Sequence, residues 1–92
     1  MPKHRDIKRR YRATAIYDLL MKYQKGLCAI CKQPERVLNK RTQRPRRLYI
    51  DHNHKTNEIR GLLCQRCNLG IGHLQEDLAI LESAIAYLKT FN

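Results

Sequence analysis

The sequence predicts a small α+β domain built around four cysteines. Two segments, 14–25 and 74–89, carry apolar residues at helical spacing, and two short segments between them have the β-branched and aromatic content of strands. The four cysteines form two Cys-x-x-Cys pairs that flank the strand segments. A chain of 92 residues is expected to form one domain, and small domains of this kind often add a metal or disulfides to a marginal core.

The first half of the chain is predicted to contain a basic arm, a helix and a loop. Residues 1–12 are expected to form a flexible basic arm, and residues 13–92 the folded domain. The helix over 14–25 has one face of apolar residues at i, i+3, i+4 and i+7 spacing: Ile16, Leu19, Leu20 and Tyr23. Gly26 is suited to cap this helix, and residues 32–47, with two prolines and many charges, are expected to form a loop.

The two strand segments are predicted to pair as a hairpin. Residues 48–50 form the first strand and residues 58–63 the second, by their β-branched and aromatic content. The intervening residues 55–57 suit a turn, because an asparagine such as Asn57 tolerates a positive φ. So short a connection favours an antiparallel hairpin.

Two helical segments are expected after the second cysteine pair. The first begins after Cys67 and is expected to be interrupted at Gly70 and Gly72. The last helix, over 74–89, has two apolar rows, whereas a helix on the surface of a monomer needs only one. We therefore expect a homodimer formed through residues 74–90.

The positive charge is concentrated in the first half of the sequence. Of the 19 Lys and Arg residues, 15 lie within residues 1–47, and the chain carries a formal net charge of +11. Such clusters favour a polyanion, so a nucleic acid is the expected partner, with a solvated basic surface or a membrane-surface patch as alternatives. The candidate DNA-binding residues are Arg9, Arg10, Arg36, Lys40, Arg41, Arg44, Arg46 and Arg47. The sequence shows no membrane span or secretory signal, and a cytoplasmic location is expected.

The cysteine spacing predicts a structural zinc site. Two thiolates separated by two residues can bind one ion from a tight turn, and two such pairs complete a tetrahedral site. The predicted ligands are Cys28, Cys31, Cys64 and Cys67. Disulfides and a redox pair are the alternatives, but the missing secretory features disfavour the former and the repeated motif disfavours the latter.

A cluster of polar residues stands at the end of the first predicted strand. The run Asp51-His52-Asn53-His54 combines a carboxylate with imidazoles, which together can bind a divalent cation and accept a proton from water. Asn68 follows the last cysteine and is brought close if the zinc site fixes the hairpin against the next helix. Asp and Asn oxygens suit Mg²⁺. The alternative is a polar hairpin tip that binds no metal.

Three segments together resemble a known family of nucleases. These are Cys28-Ala-Ile-Cys31, Leu48-Tyr-Ile-Asp-His-Asn-His54 and Ile59-Arg-Gly-Leu-Leu-Cys-Gln-Arg-Cys-Asn68. In this order they closely resemble the recombination endonuclease VII family, which belongs to the HNH, or His-Me finger (ββα-metal), nucleases. The resemblance covers roughly residues 17–90, and it implies a zinc-stapled ββα-metal domain with flanking helices.

The resemblance also implies a role for each matching residue. His52 resembles the general base that activates water, while Asp51 and Asn68 resemble the ligands of one catalytic Mg²⁺ or Mn²⁺ ion. His54 is then expected to touch phosphate or to support the metal, and Arg60 to contact phosphate or to fix the hairpin. The four cysteines match the structural zinc ligands.

The implied activity is that of a metal-dependent DNA endonuclease or nickase. His52 would take a proton from the attacking water, so cleavage is expected to weaken in acid, where the imidazole is protonated. Double-stranded, nicked and branched DNA, including four-way junctions, remain open as substrates. A zinc-knuckle protein that binds DNA without cleaving it is the alternative function.

Overall fold

The architecture is α+β, as the sequence predicts, with a two-stranded sheet between helices. The computed structural model describes residues 4–91, with side chains from residue 14 onward. The elements in chain order are α1 (His4–Gln24), β1 (Tyr49–His52), β2 (Ile59–Leu63), α2 (Gln65–His73) and α3 (Leu78–Phe91).

Helix α1 begins ten residues earlier than the sequence pattern indicates. Residues 4–12, expected in a flexible arm, are helical, and the division into an arm over residues 1–12 and a domain over residues 13–92 stays a prediction. The segment contains neither Gly nor Pro, and its Lys and Arg residues have high helix propensity even without an apolar stripe. Residues 1–3 of the expected arm lie outside the described residues.

The end of α1 confirms the predicted glycine cap. Gly26 has a φ of +74°, and its N–H donates to the carbonyl of Met21 at 2.9 Å. Such a left-handed residue satisfies the last free carbonyls of a helix, and glycine adopts it without the steric penalty of a side chain. The chain thereby turns sharply from α1 into the first cysteine pair.

The buried face of α1 lies one residue away from the predicted face. Tyr17 is buried, and Leu20 and Met21 pack against the core, whereas Leu19 and Tyr23 are 67% and 86% exposed. The apolar pattern predicted the wrong face because Gln24, which lies at i+7 from Tyr17 on the buried face, is polar. The side-chain amide of Gln24 is hydrogen-bonded to β2, which places the Tyr17 stripe inward.

The loop expected over residues 32–47 contains neither helix nor extended strand, but it is locally paired. Leu38 forms an isolated antiparallel bridge with Pro45, and the N–H of Asn39 donates to the carbonyl of Arg44 at 2.7 Å. The Asn39 side chain accepts hydrogen bonds from the backbone N–H groups of Arg41 and Thr42. Residues 37–46 therefore form a narrow finger with a defined turn.

Strands β1 and β2 form the predicted antiparallel hairpin, with an irregular register. Asp51 pairs with Gly61, whereas the next residue, His52, pairs with Ile59. Arg60 is therefore the extra residue of a β-bulge, which twists a strand and redirects side chains. The turn is confirmed at Asn57, which has a φ of +63°.

Two expectations about the C-terminal helices are wrong. Helix α2 runs without interruption through Gly70 and Gly72, since isolated glycines weaken a helix without necessarily ending it. The last helix begins at Leu78 rather than Leu74, because the carboxylate of Asp77 accepts from the N–H groups of Ala79 and Ile80 and caps it.

The buried core lies between α1, the sheet and the cysteine pairs. Its members are Tyr17, Cys28, Leu48, Leu62, Leu63 and Cys64. Two predicted metal ligands are thus part of the core itself. Helix α3 contributes no buried residue in the described part of the chain.

Candidate functional site

The four cysteines meet at one point, as their spacing predicts. One ligand atom from each of Cys28, Cys31, Cys64 and Cys67 lies within 4.8 Å of the others. The Sγ atoms of Cys31 and Cys64 are 3.8 Å apart. A tetrahedron of thiolates about 2.3 Å from a zinc ion has edges of about 3.8 Å, so the donor set and its spacing fit this metal.

Backbone hydrogen bonds order each cysteine pair and attach the first pair to β2. The N–H of Ile30 donates to Cys28 Sγ at 3.4 Å, and the N–H of Cys67 donates to Cys64 Sγ at 3.5 Å. The N–H of Ala29 also donates to the carbonyl of Leu62 at 3.0 Å, which fixes the first pair to β2. Because Cys64 caps α2, the second pair lies at the N-terminal end of that helix.

The surroundings of the thiols shift the pKa values of Cys28, Cys64 and Cys67 in different directions. Burial raises the pKa of Cys28, but hydrogen bonds from the backbone near Cys64, Cys31 and Ile30 outweigh it and lower this pKa to about 6. Burial, followed by the neighbouring thiols, raises the pKa of Cys67 to about 12. Burial likewise raises the pKa of Cys64. One negative charge is therefore tolerated, and further thiolates require a metal ion to compensate them.

Asp51 is held by an arginine across the hairpin. Arg60 Nε donates to Asp51 Oδ2 at 2.8 Å, and Arg60 Nη2 donates to Oδ1 at 3.0 Å. The same Nη2 donates to Glu76 Oε1 at 2.6 Å. The hydrogen bonds that Arg60 donates to Asp51 and then to Glu76 raise the pKa of Arg60 above its ordinary value, so the guanidinium stays charged.

The β-bulge explains how Arg60 reaches Asp51. In a regular ladder, with Gly61 opposite Asp51, the alternation of side chains would place Arg60 on the other face of the sheet. The extra residue in β2 breaks this alternation, and the two side chains meet.

The two histidines of the hairpin end lie side by side. The ring centroids of His52 and His54 are 4.9 Å apart, with the rings tilted by 60°. His52 is half-buried and His54 is exposed. Between them, Asn53 Oδ1 accepts from the N–H groups of Lys55 and Thr56 and so closes the turn. The histidines are therefore presented on an ordered tip.

Asn68 lies in the first turn of α2 and is half-buried. Its backbone N–H donates to the carbonyl of Cys64 at 2.9 Å, so the second cysteine pair fixes its position. Within residues 14–91, no side-chain hydrogen bond joins Asn68 to Asp51 or His52. The oxygens of Asp51 and Asn68 and a nitrogen of His52 are of the type that Mg²⁺ or Mn²⁺ accepts, although Arg60 now binds both Asp51 oxygens.

The predicted DNA-binding residues of the loop are all exposed, but they differ in their contacts. The guanidinium of Arg47 lies 4.1 Å from the ring centroid of Tyr17, and Arg36 donates to Gln33 at 3.3 Å. The side chains of Lys40, Arg41, Arg44 and Arg46 extend from the finger. Arg9 and Arg10 belong to α1, and their side chains lie outside the described residues.

Three residues that support the site were missed by the sequence analysis. They are Gln24, Glu35 and Glu76. The buried carboxylate of Glu35 accepts from the N–H groups of Arg36 and Val37 and, at 2.8 Å, from that of Gln65, so it joins the loop to the start of α2. No spacing marks Glu35 or Gln24, but reading Asp77 as a helix cap would have placed Glu76 in a turn.

The geometry defines a class of protein: a small α+β domain with a four-cysteine metal centre that supports a hairpin bearing an Asp-His pair. The chain belongs to the recombination endonuclease VII family, whose model matches residues 4–90. None of the described helices is long and apolar enough to cross a membrane.

Two phage proteins are similar to this chain. It is 40% identical over 74 residues to the gene 59 protein of Mycobacterium phage D29, and 34% identical over 73 residues to the gene 59 protein of Mycobacterium phage L5. These matches cover 79% and 78% of this chain, but 41% and 40% of the two relatives. The chain therefore spans about two fifths of the length of the curated relatives it matches.

Proposed function

We propose that this chain is a metal-dependent nuclease domain that hydrolyses phosphodiester bonds in DNA. The observation that carries the proposal is the placement of Asp51 and His52 at a bulge of the hairpin, in a member of the recombination endonuclease VII family. The exposed basic finger supports DNA as the substrate. The phage relatives support a role in the cytoplasm of a bacterial or phage-infected cell.

His52 is assigned as the general base. The neutral imidazole accepts a proton from a water molecule, which then attacks phosphorus in line with the leaving 3′ oxygen. The His52 ring is half-buried and lies beside the ring of His54, and this packing limits the ring rotation that would misalign the proton transfer. His54, which is exposed at the tip, is proposed to contact the phosphate or to support the bound metal.

Asp51 and Asn68 are assigned as the ligands of one Mg²⁺ or Mn²⁺ ion. When bound, such an ion stabilises the charge that develops on the phosphate oxygens. Arg60 orients the Asp51 carboxylate, and its exposed part is proposed to contact a phosphate. Zinc is assigned to the four-cysteine cluster, where four protein ligands leave no position for a substrate.

The basic finger is proposed to hold the DNA backbone. Lys40, Arg41 and Arg44 lie at or next to its turn and are exposed, so they can neutralise phosphates without reading bases. A comparison of cleavage at equal DNA concentration identifies the preferred substrate. The panel contains linear, nicked, flapped and four-way DNA and so covers duplex and branched forms.

The deciding experiment is a plasmid assay on zinc-loaded protein. Supercoiled DNA should be nicked or linearised when Mg²⁺ is added and left intact when it is omitted. Omission is cleaner than EDTA, which also removes zinc. His52→Ala should lose cleavage while keeping zinc and DNA affinity, whereas the control His73→Ala, at an exposed position ending α2, should cleave normally. Equal cleavage by His52→Ala would remove the assigned base.

A specific observation supports the alternative, a zinc-knuckle protein that binds DNA without cleaving it. Arg60 binds both carboxylate oxygens of Asp51, which are the atoms a catalytic cation would use. On this alternative the hairpin is a scaffold, and the purified protein binds every DNA in the panel but cleaves none of them with Mg²⁺ or Mn²⁺.

A homodimer through residues 74–90 is also proposed. Helix α3 has no buried residue among those described, yet many of its apolar side chains are at least 40% exposed. They are Leu78, Ile80, Ile85, Tyr87, Leu88 and Phe91. Exposed apolar area of this kind is typical of a contact surface, and a second copy offers a matching one.

A further inference from the structure

Arg60 lies between two carboxylates that come from different parts of the fold. Asp51 is in β1, and Glu76 is in the turn between α2 and α3. Arg60 Nη2 is shared, because it donates to Asp51 Oδ1 at 3.0 Å and to Glu76 Oε1 at 2.6 Å. The three groups together carry one net negative charge.

The backbone of the turn fixes Glu76 in this position. Gln75 and Glu76 have φ values of +59° and +54°, a left-handed conformation that is unfavourable for residues other than glycine. The N–H of Glu76 donates to the carbonyl of Ile71 at 2.8 Å, and Asp77 starts α3 directly afterwards. The turn is therefore held from both sides, and Glu76 faces Arg60.

We propose that Glu76 is a positioning residue, which shares the Arg60 guanidinium with Asp51 and thereby makes the Asp51 carboxylate available to a divalent cation. This inference rests on the proposed function, since it assumes that Asp51 is a metal ligand. It assigns a role to a residue that none of the three matching sequence segments contains.

The physical reason is a competition for the oxygens of Asp51. A cation and the Arg60 guanidinium cannot both occupy these oxygens, so binding of the cation requires Arg60 to withdraw. Without Glu76, the withdrawing guanidinium would exchange an ionic partner for water, which is modestly less favourable for a partly exposed group. With Glu76 present, Arg60 retains one carboxylate, and the negative charge of Glu76 also attracts the incoming cation. Both effects raise the cation affinity.

The inference is tested by titrating Mn²⁺ into the zinc-loaded protein without DNA, with free Mn²⁺ followed by electron paramagnetic resonance. Asp51→Asn identifies the site, since it should abolish binding there. Glu76→Gln should weaken binding at this site by roughly three- to ten-fold, the range expected for a charge near a partly exposed cation. The matched control is Glu82→Gln at an exposed position of α3, which should change the affinity less than about two-fold.

A second pair of variants separates a role through Arg60 from a simple charge effect. Arg60→Met should raise Mn²⁺ affinity, and in that background Glu76→Gln should have a smaller effect than in the native chain. An equal effect in both backgrounds overturns the role through Arg60. If Arg60→Met fails to fold, judged by circular dichroism and zinc content, Glu76→Asp replaces it, because it keeps the negative charge but shortens the reach to Arg60. Weaker Mn²⁺ binding by Glu76→Asp supports the role through Arg60, and unchanged binding overturns it in favour of a simple charge effect.

The outcomes also distinguish this inference from the proposed function. Mn²⁺ binding that depends on Asp51 but is unchanged by Glu76→Gln overturns the role of Glu76 and leaves the proposed metal site intact. Equal Mn²⁺ binding by the native chain and Asp51→Asn shows that Asp51 holds no cation, and then both are wrong.

Discussion

The side-chain amide of Gln24 completes the hydrogen bonding of Leu62 on the edge of β2 that faces away from β1. Its Nε2 donates to the carbonyl of Leu62 at 3.0 Å, and its Oε1 accepts from the N–H of Leu62 at 2.9 Å. Gln24 thus takes the place of a third strand at this residue. A Cβ at Gly61 would lie 3.1 Å from Gln24 Oε1, which explains why glycine precedes Leu62.

The first prediction concerns this contact. Gln24→Met keeps the shape of the side chain but leaves the N–H of the fully buried Leu62 without its partner, so it should lower the free energy of unfolding by about 1–3 kcal/mol. Urea unfolding of the zinc-loaded protein measures the change. Asp18→Asn, at an exposed position of the same helix, should change it by less than about 0.5 kcal/mol, and equal values for the two variants would contradict the role of Gln24.

The same contact shows what the sequence could and could not predict. Three features follow from local sequence patterns. Strand propensity predicts the hairpin, the glycine at position 26 predicts the cap of α1, and the ligand spacing predicts that the cysteines meet. Which face of α1 is buried depends on the hydrogen bond between Gln24 and Leu62, which lie 38 positions apart in the sequence. No local sequence pattern contains such a contact. Apolar spacing therefore identified the helix but not its buried face.

The candidate site likewise has a part that the sequence indicates and a part that no sequence pattern reveals. Asp51, His52 and Asn68 were singled out by their residue types and their positions in the sequence, and the family resemblance then implied the roles that stay predictions here. The pairing of Asp51 with Arg60 could not be predicted from strand alternation, because it requires a bulge that moves one side chain across the sheet. Glu76 reaches the site through a turn whose two left-handed residues are not glycine or asparagine, so turn chemistry gave no signal.

The second prediction is that the fold depends on the metal at the cysteine cluster. Removal of the metal by a chelator should cost about 10 kcal/mol or more of stabilisation, since metal binding and folding are coupled in small domains, and Cys64→Ser, which removes one of four ligands, should cost part of it. Loss of the circular dichroism signal, restored by adding Zn²⁺ to the chelated protein, measures this. A chelated protein that melts at the same temperature as the native one would contradict it.

The third prediction is that zinc affinity rises with pH. In the metal-free cluster the pKa of Cys28 is about 6 and that of Cys67 is about 12, so at neutral pH protons must leave when zinc binds. Lowering the pH adds protons that compete with the metal and weakens binding, whereas raising it strengthens binding. Calorimetry in buffers of different ionisation enthalpy measures the number of protons released, and a value of zero would contradict the mechanism.

The fourth prediction separates two arginines of the basic loop. Arg47→Ala removes a cation–π contact with buried Tyr17 and should lower the free energy of unfolding by about 0.5–1 kcal/mol. Arg41→Ala, at the exposed turn of the finger, should leave stability unchanged but weaken DNA binding and reduce its salt dependence. Chemical unfolding and DNA titrations over several salt concentrations measure the two effects. Equal stability loss in both variants would contradict the distinction.

The last prediction concerns the exposed apolar side chains of α3. Ile85 is 53% exposed and α3 has no buried residue among those described, so Ile85→Glu should leave the folded protomer stable. If two copies associate through α3, the same substitution places a charge in the apolar contact and should shift sedimentation from dimer to monomer at micromolar concentration. Ser83→Glu adds the same charge at an exposed polar position of α3 and should leave the dimer intact. A native chain that sediments as a monomer removes the proposed interface, whereas a dimer that survives Ile85→Glu requires a different surface.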